Sequence, residues 1–142
     1  MKALSIRQPW ASAIVQLGKN VENRTWYTSH RGPILIHAGK TMSREDQAAF
    51  EEVALAAGVK FRPLQTLPLG CIIGQADIVD CIANGDRKRK PAHASPWFFG
   101  PYGFVLENVK PLPPRVCKGR LGFFDVAYDE LPAPHATEDA LL

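Results

Sequence analysis

Three charged side chains within six positions are the first candidates for chemistry in this sequence. Lys19, Glu22 and Arg24 closely precede an aromatic residue, Trp26. If Val21–Trp26 forms a strand, residues two apart face the same way, so Glu22, Arg24 and Trp26 share one face. Ion pairs among these residues would form either an exposed surface salt bridge, worth ~0–1 kcal/mol, or part of a binding or catalytic site.

Three tryptophans could provide platforms on which nucleobases stack, and each such stack contributes ~1–3 kcal/mol. They are Trp10, Trp26 and Trp97. Core packing is the alternative for each, and it is favoured for Trp10, which lies on the apolar face of a predicted helix. Trp97 belongs to the aromatic segment Ser95–Tyr102, which also contains prolines and a glycine. That segment predicts either a lid over a cleft or a plug at one end of a barrel.

A run of four basic residues precedes this aromatic segment in a polar part of the chain. Such runs are usually solvated surface charges. The more specific interpretation is a loop that contacts phosphates, because lysine and arginine neutralise the backbone charge of nucleic acids. The residues assigned to phosphate contact in that case are Arg87, Lys88, Arg89 and Lys90.

The cysteines and histidines predict neither a metal centre nor a cofactor site. The three cysteines form no CxxC pair, and the four histidines form no HxxxH pair or Cys/His cluster. Zinc sites are built from such close pairs. His37 is interpreted as a hydrogen-bonded strand residue. The odd number of cysteines indicates reduced thiols, as in the cytosol.

Length and composition predict one globular domain. The chain has 142 residues, of which 46% are hydrophobic and 22% charged, with a net charge of +3. These values exclude collagen-like, coiled-coil and wholly disordered chains, and the mild positive charge is compatible with a nucleic-acid partner. No segment resembles a signal peptide or reaches the ~20 apolar residues of a membrane span. We therefore expect a cytoplasmic protein without a membrane partner.

Two short helices and six strands are predicted along the chain. A helix over Pro9–Leu17 starts with a proline and ends before a glycine, and one over Ser43–Ala57 starts with a serine cap and ends before a glycine. Lys110–Pro114 is interpreted as a proline-rich turn. Strands interrupted by two helices, without βαβ alternation, predict a mainly β, α+β fold: a small β-barrel with helices on its rim. The predicted strands are Ala3–Ile6, Val21–Trp26, Pro33–Ala38, Gly70–Ile82, Tyr102–Val109 and Leu121–Val126.

The chain resembles the ASCH domain family of the PUA-like superfamily over most of residues 3–126. One departure is that Gly18 directly precedes Lys19, whereas the family's glycine usually stands two residues before the lysine. The pieces that carry the resemblance are the QPWAS segment, the Lys-x-x-Glu-x-Arg pattern of Lys19, Glu22 and Arg24, Thr25-Trp26, the Arg31-Gly32 turn, and the strands Gly70–Cys81 and Tyr102–Val109.

This resemblance implies a PUA-like β-barrel at residues 1–128, a tail at residues 129–142, and a cleft for RNA or a nucleotide-like ligand. The matching residues Lys19, Glu22 and Arg24 would line that cleft. The family includes a transcription-coactivator domain, proposed RNA binders, a reported ribonuclease and a bacterial amidohydrolase that deacetylates N4-acetylcytidine. In the amidohydrolases, a lysine matching Lys19 and a threonine at the position of Glu22 are catalytic, and that threonine is missing here.

Two main classes of function follow. In an RNA-binding module, Lys19, Arg24 and the basic run would hold phosphates, a tryptophan would stack a base, and Glu22 or Gln8 would read a base edge. In a hydrolase acting on RNA or a modified nucleoside, Lys19 would be base or nucleophile and Glu22 would orient it. Two influences on Lys19 compete: Arg24 as a neighbouring cation would favour the neutral amine, whereas Glu22 as the closer partner would keep Lys19 charged. Binding ranks first, because a charged Lys19 would act as an electrostatic clamp and not as a base. A protein-interaction domain that uses the aromatic segment is a third option.

Overall fold

The computed structural model describes residues 1–133, which form one six-stranded sheet and two helices. The mainly β composition with two helices is confirmed. The helices are α1 (Trp10–Gln16) and α2 (Arg44–Ala57). The strands are β1 (Lys2–Ile6), β2 (Val21–Arg24), β3 (Gly32–Ala38), β4 (Cys71–Ala83), β5 (Tyr102–Val116) and β6 (Phe123–Asp125).

The strands are ordered β2-β5-β4-β3-β1-β6 in the sheet. β1 and β3 are parallel, whereas the other neighbouring pairs are antiparallel. Within residues 1–133, β2 and β6 form no hydrogen-bonded pair, so closure into a barrel is not confirmed. Contacts from Arg24 of β2 and from Trp26, which follows β2, instead link that end of the sheet to β1 and β6 at the other end. The Trp26 ring lies 5.6 Å from the Phe123 ring, and Nη2 of Arg24 donates to the Ser5 carbonyl at 2.8 Å.

Helix α1 packs directly against β4 because Gly74 leaves room for it. A Cβ at Gly74 would lie 2.7 Å from Cγ2 of Val15 and 2.8 Å from the Lys110 carbonyl oxygen. The register of β4 against β5 shifts between Ile72 and Gly74, which is typical of a glycine inside a strand. This close approach fixes α1 and the segment that leads from it into β2.

Helix α2 has the predicted caps and closes a small second core. Oγ of Ser43 accepts from the Asp46 N–H, and the helix ends at a glycine with a left-handed backbone. The Phe50 ring lies 5.8 Å from the Trp10 ring and 6.3 Å from the Trp97 ring. Both helices therefore contribute to one aromatic cluster, together with Trp97.

Strand β5 is longer than expected, and the predicted proline-rich turn at Lys110–Pro114 is wrong. The strand continues through those prolines to Val116. β2 pairs with β5 only over residues 102–105, so most of β5 has a partner strand on one side. Proline lacks an N–H and is tolerated where a strand is an edge or its register is irregular. The register shift where Gly74 faces Pro111 is such a position.

The end of the described chain returns to the sheet. Tyr128 and Leu131 pack against a small core cluster that includes Ala3 and Phe124. Leu131, within the tail predicted from residue 129, therefore contacts the core, and residues 134–142 of that tail lie outside the described part of the chain. None of the helices within residues 1–133 is long and apolar enough to cross a membrane.

Candidate functional site

A cavity of about 520 Å³ opens where the end of β1, the start of α1, the strand β2 and the loop before β5 meet. We call it the cleft. Small-molecule sites typically have volumes of ~300–1,000 Å³. The cleft is lined by Ser5, Ile6, Arg7, Trp10, Lys19, Glu22, Asn23, Arg24, Thr25, Trp26, Asp46, Phe99, Gly100 and Pro101.

Glu22 joins Lys19 and Arg24 in a buried network, which we call the charged trio. Nζ of Lys19 donates to Oε1 of Glu22 at 2.8 Å and to the Val21 carbonyl at 2.6 Å. Nε and Nη2 of Arg24 lie 3.2 and 3.1 Å from Oε2 of Glu22. The Lys19 and Glu22 side chains are only 1% and 9% exposed. The trio is therefore not the exposed surface salt bridge that the sequence left open.

Local backbone geometry brings the trio together. Gly18 has a φ of 75°, a left-handed conformation that glycine adopts readily after a helix. The Lys19 N–H then donates to the Ala13 carbonyl at 3.1 Å, which ties Lys19 to α1. β2 pairs antiparallel with β5, and Glu22 and Arg24 share one face of it because they are two residues apart.

An indole and a second carboxylate form another wall of the cleft. Nε1 of Trp10 donates to Oδ1 of Asp46 at 3.0 Å, and Nζ of Lys19 lies 5.8 Å from the Trp10 ring centre, within cation–π range. Oδ2 of Asp46 accepts from Ser43 at 3.0 Å and pairs with Nε of Arg7 at 3.2 Å. The first turn of α2 thus positions the indole.

Asn23 fastens the loop before β5 to β2. Its Nδ2 donates to the Trp97 carbonyl at 2.9 Å, and its Oδ1 accepts from the N–H groups of Phe99 and Gly100 at 2.8 and 3.2 Å. The Phe99 side chain lines the cleft and is 54% exposed. It therefore offers a ring surface that a ligand can reach.

The three tryptophans predicted as stacking platforms lie in different environments. Trp10 and Trp26 line the cleft and are partly buried. Trp26 also packs edge-on against Phe104 at 5.1 Å. Trp97 is only 3% exposed and packs against Phe50. This corrects the prediction for Trp97, because its ring fills the core between the helices and is neither a lid nor accessible to a base.

Gln8 is also internal and does not line the cleft. Its Nε2 donates to Oγ of Ser12 at 2.7 Å and to the Pro68 carbonyl at 2.9 Å, and its Oε1 accepts from the Ser12 N–H at 2.9 Å. The fully buried amide is thus used by the fold. This corrects the prediction that Gln8 reads a base edge.

The basic run Arg87–Lys90 is exposed and does not line the cleft. Nζ of Lys90 donates to Oδ2 of Asp80 at 2.6 Å, and this hydrogen bond raises the pKa of Lys90. Partial burial pushes the pKa of Asp80 upward, but the hydrogen bonds from Lys90 and from the Cys81 N–H outweigh it. The pKa of Asp80 therefore lies below its ordinary value.

The cleft includes residues that sequence reasoning did not single out as site residues: Arg7, Asn23, Asp46 and Phe99. Asp46 is recognisable from sequence as a capping residue of α2, and Phe99 lies in the aromatic segment around Trp97. Their convergence on Lys19 depends on packing between distant parts of the chain. No local pattern signals it.

The cleft combines three cations with two carboxylates, so its charge is close to neutral. Each cation has a carboxylate partner. In the part of the chain that the structure describes, no three His, Cys, Asp or Glu side chains lie close enough together to hold a metal ion. The arrangement is suited to a polar, aromatic ligand that stacks on rings and hydrogen-bonds to fixed donors and acceptors.

Comparisons with known proteins identify relatives of this chain. The ASCH domain model matches residues 4–113, which include the whole charged trio. Activating signal cointegrator 1 is 34% identical in Homo sapiens and 39% identical in Mus musculus, each over 107 residues. Each match covers 74% of this chain, which spans only 18% of the length of these relatives. The chain belongs to the ASCH domain family.

Proposed function

We propose that this ASCH domain binds single-stranded or modified RNA and holds one of its nucleotides in the cleft. The observation that carries the proposal is that ring surfaces and fixed charged groups surround one cavity of suitable size. Proteins recognise single-stranded RNA by stacking splayed bases on aromatic or guanidinium planes and by hydrogen-bonding to base edges. The association of the family with RNA binding supports the same function.

Each wall of the cleft has a role in this proposal. Phe99 and Trp10 stack the base, and the carboxylates of Glu22 and Asp46 accept hydrogen bonds from base amino groups. Arg7, which has a 77% exposed side chain, contacts a phosphate at the entrance. The ligand is thus held by groups whose positions the protein has already fixed.

The contacts of Lys19 support binding over hydrolysis. Its Nζ donates both to Glu22 and to the Val21 carbonyl. The Glu22 carboxylate 2.8 Å from Nζ favours an ion pair over a free amine, and an ammonium group has no lone pair with which to attack a carbonyl or to accept a proton. It acts instead as an electrostatic clamp beside the ligand.

Fluorescence anisotropy with a labelled eight-nucleotide single-stranded RNA tests the proposal. Phe99→Ala removes a ring that is 54% exposed in the cleft, and Tyr27→Ala removes a ring that is 56% exposed elsewhere. A lost stack costs ~1–3 kcal/mol, so we expect Phe99→Ala to weaken binding by about fivefold or more. Tyr27→Ala is expected to bind as tightly as the unaltered protein. Equal affinities for all three proteins would contradict the proposal.

The same preparation tests the hydrolase alternative. We expect no release of acetate from N4-acetylcytidine and no shortening of the RNA. Turnover that disappears in a folded Lys19→Ala variant would replace the binding function with a hydrolytic one.

A further inference from the structure

A second cavity, of about 910 Å³, adjoins the cleft, because Ser5 lines both. Its walls come from the segment after β3, the segment before β4 and the connection between β5 and β6. We call it the basic cavity, since its lining includes Lys40, Lys118 and Arg120. Sequence reasoning did not single out these three residues.

Among the described residues, the cations of the basic cavity differ from those of the cleft in having no acidic neighbour. No Asp or Glu of residues 1–133 lines this cavity. Within residues 1–133, none of the three cations lies within 4.0 Å of a carboxylate oxygen, whereas Lys19, Arg24 and Arg7 each do. Exposed cations gathered around a cavity without acidic partners fit a ligand that carries its own negative charge.

His37 holds the loop that carries two of these cations. The buried ring lies with Nε2 2.6 Å from the Cys117 carbonyl oxygen and Nδ1 2.9 Å from Oγ of Ser5. A carbonyl only accepts, so Nε2 carries the proton and Nδ1 accepts from the hydroxyl. Burial lowers the pKa of His37 and keeps this neutral form. The loop is therefore anchored directly at the residue shared by the two cavities.

Gly119 packs on that anchor. A Cβ at this position would lie 2.8 Å from Cε1 of His37 and 3.0 Å from Oγ of Ser5. Only a residue without a side chain lets the loop lie this close, so the positions of Lys118 and Arg120 depend on Gly119.

We propose that the basic cavity binds phosphodiester groups of the same RNA strand, next to the nucleotide held in the cleft. This inference rests on the proposed function. Lysine and arginine contacts to phosphates fix the register of a strand without reading its sequence. Ser5 lines both cavities. An RNA strand that leaves the cleft past Ser5 therefore enters the basic cavity directly, where the three cations lie. The cleft then selects the base, and the basic cavity holds the backbone.

The test compares two triple variants by anisotropy, with the same eight-nucleotide RNA over a series of salt concentrations. Lys40→Ala/Lys118→Ala/Arg120→Ala removes the cations of the basic cavity. Arg87→Ala/Lys88→Ala/Arg89→Ala removes three exposed cations of the basic run. Each variant loses the same net charge, so general electrostatic attraction changes equally in both.

We expect the first variant to flatten the slope of log K against log[salt] by ~2, at ~0.7 for each phosphate contact. The second is expected to flatten it by less than ~0.7, the value of one contact. Equal flattening, or more flattening in the second variant, would overturn the inference. In that result the phosphate contacts would not be concentrated in the basic cavity.

Two glycine-to-alanine variants test the position of the loop without changing the charge of the protein. Gly119→Ala keeps every cation but forces the loop away from His37, so we expect several-fold weaker RNA binding. Gly85→Ala, where a Cβ meets no atom within 4 Å, is the matched control and is expected to bind normally. Unchanged RNA binding by a folded Gly119→Ala protein would contradict the inference that the position of Lys118 and Arg120 matters for phosphate binding.

Failure of this inference is distinguishable from failure of the proposed function. If Phe99→Ala weakens RNA binding while the basic-cavity variant keeps the full salt dependence, the cleft function stands and the inference falls. If the unaltered protein binds no RNA, both fall together.

Discussion

The charged trio and the basic run Arg87–Lys90 contain similar side chains in opposite settings. Lys19 is 1% exposed and has two acceptors for its N–H groups. The four residues of the run are exposed, and within residues 1–133 only Lys90 has a carboxylate partner. A buried charge is costly without partners, so its position is fixed by the fold. An exposed charge stays in contact with water and costs little free energy, so the fold does not have to fix its position. A dense run of charge in sequence is therefore a weaker sign of a site than two opposite charges on one strand face that meet a lysine from the segment before the strand.

The largest expected difference between the two regions is in stability. Glu22→Ala leaves Lys19 buried without its carboxylate, and breaking a buried ion pair costs about 3–5 kcal/mol. Arg87→Ala removes an exposed side chain outside any ion pair seen in residues 1–133, and the free energy of unfolding is expected to stay unchanged within error. Urea denaturation of both variants measures the difference.

The double variant Lys19→Met/Glu22→Met is the control for that prediction. Replacing a buried ion pair with apolar side chains of similar size is often neutral or stabilising. The double variant also leaves Arg24, whose side chain is 20% exposed, without its carboxylate partner, so we expect it to be more stable than Glu22→Ala but less stable than the unaltered protein. A Glu22→Ala protein of unaltered stability would show that the trio is not buried in solution.

A smaller effect is expected from the residue that joins the strand of the trio to the aromatic loop. Asn23→Ala removes three hydrogen bonds to residues 97–100. Because these bonds are partly exposed, we expect a loss of about 1–2 kcal/mol and faster amide hydrogen exchange at Phe99 and Gly100. Asn20→Ala, which removes one hydrogen bond to Ser95, is expected to cost less. Unchanged exchange in Asn23→Ala would show that the loop is held by other contacts.

The smallest expected effect belongs to the ion pair between Lys90 of the basic run and Asp80. The pKa of Asp80 lies below its ordinary value of 3.8 in the folded protein. A carboxyl group with a depressed pKa stabilises the fold above its unfolded value, and this contribution is lost as the pH falls from about 3.8 through the folded pKa. Stability measured from pH 6 to pH 3 is expected to fall slightly less for Asp80→Asn than for the unaltered protein. A steeper fall in the variant would contradict this sign.

Sequence reasoning reached the local parts of the fold because local chemistry determines them. The Ser43 cap and the left-handed glycine after each helix follow from the conformational needs of single residues. The course of β5 through its prolines was missed, since it depends on which side of that strand lacks a partner. Whether the sheet closes likewise depends on how its two ends meet.

For the site, the spacing of Glu22 and Arg24 was sufficient to place them on one face. The burial of Gln8 and Trp97 could not be read from sequence, because it is set by contacts with Pro68 and Phe50, far away in the chain. The same holds for Asp46, whose capping role is local but whose contact with Trp10 is not. Residue spacing shows which side chains share a strand, and packing decides which of them meet a cavity.

The most direct test of the cleft as the RNA site is the affinity of the folded Lys19→Met/Glu22→Met variant for the eight-nucleotide RNA. This variant removes one positive and one negative charge, so the net charge of the protein stays the same and long-range attraction does not change. Anisotropy at constant salt is expected to show at least tenfold weaker binding than for the unaltered protein. Undiminished affinity of the folded double variant would contradict the assignment of the cleft as the RNA site.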